Sequence, residues 1–66
     1  MKYFKLLDPA HENTIVRAEG RNQQEYVINQ GWVESGILME YFCDESPLYN
    51  MYEEVTEEKA MRIINS

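Results

Sequence analysis

Cationic residues are scarce in this chain. Six lysines and arginines face twelve aspartates and glutamates, for a formal net charge of -6 over 66 residues. Such a balance repels phosphate backbones and anionic lipid, so no direct contact with nucleic acid and no membrane association are expected. The single cysteine, Cys43, excludes an internal disulfide, and with only one histidine, His11, there is no Cys/His set for a structural zinc site. Nor do the three glycines form a phosphate-cradling loop. No apolar run approaches the roughly 18 residues needed to cross a bilayer, because Glu40 separates the longest ones, Ile37 to Met39 and Tyr41 to Cys43. The first residues, Met1 to Asp8, lack the apolar core and small-residue cleavage pattern of a secretory signal. With an unpaired cysteine, this leads to the expectation of a cytoplasmic protein.

What remains is enough to fold. The chain is 44% hydrophobic and 12% aromatic, above the apolar content of disordered segments. Its length fits a single domain, residues 1-66, with one hydrophobic core. A domain this small buries only about 60% of the surface its unfolded chain exposes. Without disulfides or metal to supplement that core, a partner, self-association or close packing must supply the stability.

Several strands are legible. Lys2 to Leu7 is rich in aromatic and aliphatic residues and ends at the turn-opening Asp8-Pro9. Thr14 to Glu19 alternates as a half-buried strand would. Gln24 to Asn29 offers Tyr26, Val27 and Ile28 as a third strand, and Asn29-Gln30-Gly31 is a turn whose glycine suits the left-handed conformation. Trp32 and Val33 return as a short fourth strand or loop. Ser35 to Ser46 reads as a short helix, since Ile37, Leu38, Tyr41 and Phe42 then form one stripe opposite Glu40 and Asp44. Ser35 is its candidate cap and Pro47 its boundary. Leu48 to Val55 reads as extended. Thr56 is a good N-cap for a last helix from Glu57 to about Asn65, with acids in the first turn, Arg62 near the end, and Ala60, Met61 and Ile64 as its apolar stripe. The expected fold is α+β: an antiparallel sheet of three to five strands with one or two short helices, the C-terminal one packed on the sheet. A strand at Ser35 to Cys43 would instead give a small all-β barrel with a terminal helix.

Catalytic constellations do not assemble. His11-Glu12 begins like a zinc-protease motif, but position 15, where the second histidine would stand, is Ile15; a solvated loop histidine is expected. Cys43 has only His11 as a candidate base, and Asp44 and Glu45 oppose formation of its thiolate. It is expected to be a small, buried, chemically quiet hydrophobe. Glu53, Glu54, Glu57 and Glu58 lack the spacing of a calcium loop and read as a solvated face. No enzyme, cofactor or metal reading follows.

The acidic excess is uneven. Asp8, Glu12, Glu19 and Glu25 are balanced by Lys2, Lys5, Arg17 and Arg21, whereas from Glu34 onward eight acids face only Lys59 and Arg62. Tyr41, Phe42, Tyr49 and Tyr52 are interleaved with those acids. Phe42 is expected in the core because an aromatic ring needs a large buried area. Exposed tyrosine beside carboxylate suits recognition of a basic protein surface. The candidate binding residues are therefore Tyr49, Tyr52, Glu40, Asp44, Glu45, Glu53 and Glu54, with a binding module as the leading function. A homodimer or a subunit of a larger assembly is the alternative.

Overall fold

Left-handed residues at two sharp turns start the architecture. Gly20 (φ 60°) reverses the chain after the second strand, and Asn29 (φ 73°) with Gly31 (φ 78°) reverses it after the third, positions where glycine and asparagine carry little steric penalty. In a computed structural model that describes residues 1-66, the strands are β1 (Lys2–Leu6), β2 (Ile15–Glu19), β3 (Asn22–Val27), β4 (Gly31–Glu34) and β5 (Tyr52–Val55). Helix α1 (Leu38–Phe42) precedes β5 and α2 (Glu57–Ile64) follows it, while Pro9–His11 forms one 3-10 turn. The strands make a single antiparallel sheet in the order β4-β3-β2-β1-β5. The first four are thus a meander, and the fifth returns to pair with the first. The fold is α+β, with the C-terminal helix packed on the sheet.

Apolar side chains occupy both faces of that sheet. Phe4, Leu6 and Val16 point to one face, where Leu38 and Tyr41 of α1 cover them and Leu48, Met51 and Tyr52 pack around the edge. Tyr3 and Ile15 point to the other, beneath Ala60 of α2, with Trp32, Val55, Met61, Ile63 and Ile64 around them. The single core expected from length is therefore two half-cores in three layers. Thr14 to Glu19 is accordingly not half-buried, since adjacent Ile15 and Val16 are both buried, on opposite faces. A strand flanked by neighbours and covered by helices on both sides has no solvent face to offer.

Helix α1 forms where the stripe of Leu38 and Tyr41 predicts it, but its ends differ from expectation. Ile37 occupies the N-cap position, and no side chain caps the helix. Ser35 shapes the preceding turn instead, its Oγ accepting from Ile37 N at 3.2 Å. Phe42 is not a core residue. It remains 49% exposed, its ring set edge-on against Phe4 at 5.9 Å and Tyr52 at 5.0 Å between centroids. In a helix of five residues only one narrow side meets the sheet, and Leu38 and Tyr41 fill it.

The extended reading of Leu48 to Val55 holds only from Tyr52. Asn50 is left-handed (φ 64°), and its N–H donates to Tyr41 O at 3.0 Å, folding the preceding segment back against the end of α1. Helix α2 starts as its sequence dictates. Thr56 Oγ1 accepts from Lys59 N at 3.1 Å, and Tyr3 donates its phenolic hydrogen to Glu57 Oε2 at 2.9 Å, tying the first turn to β1. Neither helix is long and apolar enough to cross a membrane.

Candidate functional site

Strand parity sorts the charges between the two faces. Glu54 lies opposite Phe4, and Glu25 opposite Val16, so both acids share the α1 face with those apolar side chains. Glu40 on α1 and Asp44 and Glu45 just after it are exposed on the same side. None of these five forms an ion pair. By contrast, Lys5 and Lys59 both reach Glu53 Oε1, at 3.7 and 3.1 Å, and Arg62 reaches Glu58 at 3.0 Å, all on the α2 face. Arg17 also lies there, its guanidinium 4.1 Å above the Trp32 ring and its Nε donating to Gln24 Oε1 at 2.7 Å. The ion-paired acids Glu53 and Glu58 therefore lie on the α2 side, whereas the acids of the α1 face have no ion pair, although Lys2 shares that face with Phe4 and Glu54.

The candidate residues divide along this boundary. Tyr49 is 43% exposed and follows Asp44 and Glu45 on the turn after α1. Tyr52 is partly buried, its ring 5.7 Å from Phe4, so its first role is packing. Glu54 is on the α1 face, but its neighbour Glu53 points to the α2 face. There Lys59, by hydrogen bond and charge, and then Lys5 hold the Glu53 carboxyl below its usual range. Glu40, Asp44, Glu45, Glu54 and Tyr49 are brought to one side, and Glu53 is not.

Two exposed apolar residues of α1 went unrecognised in the sequence. Met39 is 70% exposed and Phe42 nearly half exposed, and both flank Glu40 or Tyr41 on α1. Met39 falls outside the Leu38-Tyr41 stripe by helical spacing, a signal the sequence does contain. Phe42 shares a cleft with Glu54, whereas Met39 borders one with Arg21 and Glu34; an exposed apolar side chain beside carboxylates combines a desolvation gain with a charge preference.

Cys43 is exposed, which corrects its reading as a buried hydrophobe. It follows Phe42 at the point where the chain leaves α1 in an extended conformation, open to solvent. A thiol reagent is accordingly expected to modify Cys43 at similar rates in native and denatured protein. Strong native-state protection in a stopped-flow labelling experiment would place the side chain elsewhere.

His11 is not a solvated loop histidine either. The buried Asp8 carboxylate accepts from the Tyr41 hydroxyl through Oδ1 and lies 2.9 Å from His11 Nδ1 through Oδ2. Tyr41 OH and His11 Nδ1 are 3.2 Å apart. Because a carboxylate only accepts, Nδ1 must carry a hydrogen for this geometry to be satisfied. The hydrogen bond from Tyr41 is the main cause holding the Asp8 carboxyl below its usual range, against the opposing effect of burial, with His11 assisting. Burial and then the Asp8 charge raise the Tyr41 phenol well above its ordinary range. The trio fastens the 3-10 turn to α1. The Tyr41 hydroxyl within it is buried, and no three His, Cys, Asp or Glu residues converge as a metal site.

No protein-family model matches the sequence, and neither curated proteins nor solved structures compared with it include a match.

Proposed function

We propose that this chain is a cytoplasmic, non-catalytic binding domain whose α1 face engages a basic surface of another protein. One observation carries the reading: exposed Phe42, which shares a cleft with Glu54, and exposed Tyr49 flank the chain segment that bears Asp44 and Glu45, next to Glu40 on α1, and none of these four acids forms an ion pair within the chain. Unpaired carboxylates steer and orient a basic partner, while the apolar side chains supply contact area that excludes water. The same charge disfavours nucleic acid and anionic lipid as direct partners.

The test is affinity capture followed by measurement of the dissociation constant for the captured protein. Reversing Glu40, Asp44 and Glu45 to lysine together is expected to weaken binding by about a hundredfold at low salt, and the parent complex to weaken as salt rises. Tyr49→Ala, which leaves charge untouched, is expected to weaken it by about fivefold to thirtyfold with little change in folding stability. Tyr52→Ala is a poorer probe because that ring packs on Phe4 and Phe42. Full affinity in the charge-reversed variant would remove the acidic face from the interface. A stable homodimer that buries this face would replace the reading by the structural one.

A further inference from the structure

The α1 face ends at an open sheet edge. β5 is the last strand on its side and pairs only with β1. Leu7 N donates to Met51 O at 2.8 Å, one step beyond the Leu6-Tyr52 pair. Residues of an antiparallel strand alternate between bonding to the neighbouring strand and turning their backbone groups away from it, so Glu53 and Val55, like Met51, bond towards β1. The other side of β1 has the matching parity: Leu6 N donates to Thr14 O at 3.0 Å, which assigns Lys2, Phe4 and Leu6 to β2 and leaves Tyr3, Lys5 and Leu7 for β5. The N–H and C=O groups of Tyr52 and Glu54 therefore point out of the edge. No hydrogen bond beyond the ladder uses them.

Open clefts adjoin this edge on both sides. One is lined by Tyr3, Val55, Thr56 and Glu57, the other by Phe4, Phe42 and Tyr52, and Glu54 borders both, as do Met1 and Lys2 at the end of β1. We propose that the free edge of β5 is a strand-addition site for an extended basic segment of the partner, an inference that rests on the binding function proposed above. The segment's basic side chains are placed towards Tyr52 and away from Lys2.

The charge pattern specifies the segment. Residues added opposite Tyr52 and Glu54 place their side chains on the α1 face, beside the unpaired Glu54 carboxylate and the Phe42 ring. Lysine or arginine fits there, its stem along the aromatic surface and its head at the carboxylate. The intervening residues fall on the α2 face beside Glu53, which already serves Lys5 and Lys59, so uncharged side chains fit those positions. Basic and uncharged residues must alternate.

Two competing arrangements fit less well. In a second copy of the chain, the registers that keep outward backbone groups paired over most of the strand set Glu53 against Glu53 or Glu54 against Glu54, and like charges directly opposite repel. The other sheet edge, β4, turns out Trp32 and Glu34, since Ser35 N donates to Gln23 O at 3.1 Å. There a basic segment meets Arg17 over Trp32 and Arg21 in the cleft beside Glu34.

The test titrates the full chain, at low salt, with a short peptide in which lysine alternates with threonine and with a second peptide holding the same residues in two blocks. The alternating peptide is expected to bind more tightly and to slow amide exchange at Tyr52 and Glu54 by about tenfold or more. Glu54→Pro, whose lost N–H points away from β1 and so leaves the ladder intact, is expected to bind about tenfold more weakly than Glu54→Gln, which removes only the charge. Thermal unfolding checks that both variants fold, and the exchange data on the parent stand independently of them. Equal binding of the two peptides, or unchanged exchange at Tyr52 and Glu54 with binding still lost on reversing Glu40, Asp44 and Glu45, would overturn strand addition and leave the acidic-face reading standing. Protection at Trp32 and Glu34 instead would overturn the choice of edge. Absence of binding by either peptide would overturn both proposals.

Discussion

Leu6→Ala is expected to remove most of the stability of this protein. Leu6 is fully buried on the interior strand β1 and packs with Val16, Leu38 and Tyr41. Truncating such a side chain costs about 2 to 5 kcal/mol, because the cavity left behind adds to the lost transfer energy. A domain of this length has roughly 3 to 10 kcal/mol to lose. The next residue, Leu7, is exposed, so Leu7→Ala is expected to change stability by no more than about 0.5 kcal/mol. Urea unfolding of the two variants reads this contrast between consecutive leucines directly. Similar midpoints for both would mean that the strand's faces are assigned wrongly.

Tyr41→Phe is expected to cost about 1 to 3 kcal/mol at neutral pH, since the ring still fills its site while a buried hydrogen bond to a carboxylate is lost. The effect should depend on pH with a definite sign. The carboxyl of Asp8 is held below its ordinary value of 3.8 in the folded protein, so the folded state binds fewer protons than the unfolded state in that range. The contribution is present above the unfolded value and is lost as pH falls through the folded one. Parent and variant unfolding free energies should therefore converge at acid pH, and Asp8→Asn should remove this part of the acid dependence. Parallel curves for parent and Tyr41→Phe down to acid unfolding would show that the phenol does not stabilise the ionised carboxyl.

Much of the framework was legible because local chemistry and long-range packing agree. The turns at Gly20 and Gly31, the Thr56 cap and the Ala60-Met61-Ile64 stripe each specify their element within a few residues of sequence. Tyr3-Phe4 and Ile15-Val16 were harder. An unbroken apolar pair says that a strand is buried on both faces only once helices are known to lie on both sides, and that depends on where α2 docks. Phe42 and Cys43 were assigned to the interior from residue type. The length of α1, set by Leu38 and Tyr41 and by the extended backbone at Cys43, left them outside. The sorting of Glu53 from Glu54 needed the β1-β5 register, which adjacent glutamates do not announce. The trio of Asp8, His11 and Tyr41 joins residues some thirty positions apart, beyond any local pattern.

Placing β5 beside β1 has a consequence for the order in which the chain completes itself. Strands β1 to β4 pair through short connections, whereas β1 must wait for Tyr52–Val55 to find its second neighbour and for α2 to cover Tyr3 and Ile15. During synthesis on the ribosome, the meander can form while one side of its first strand still has unpaired backbone and bare aromatic surface, a condition that invites association with other nascent chains. Closing the gap between β1 and β5 also carries the largest loop entropy in the sheet. The slowest step of folding should therefore be the arrival of the last two elements, and a chain stopped before Tyr52 should aggregate rather than fold.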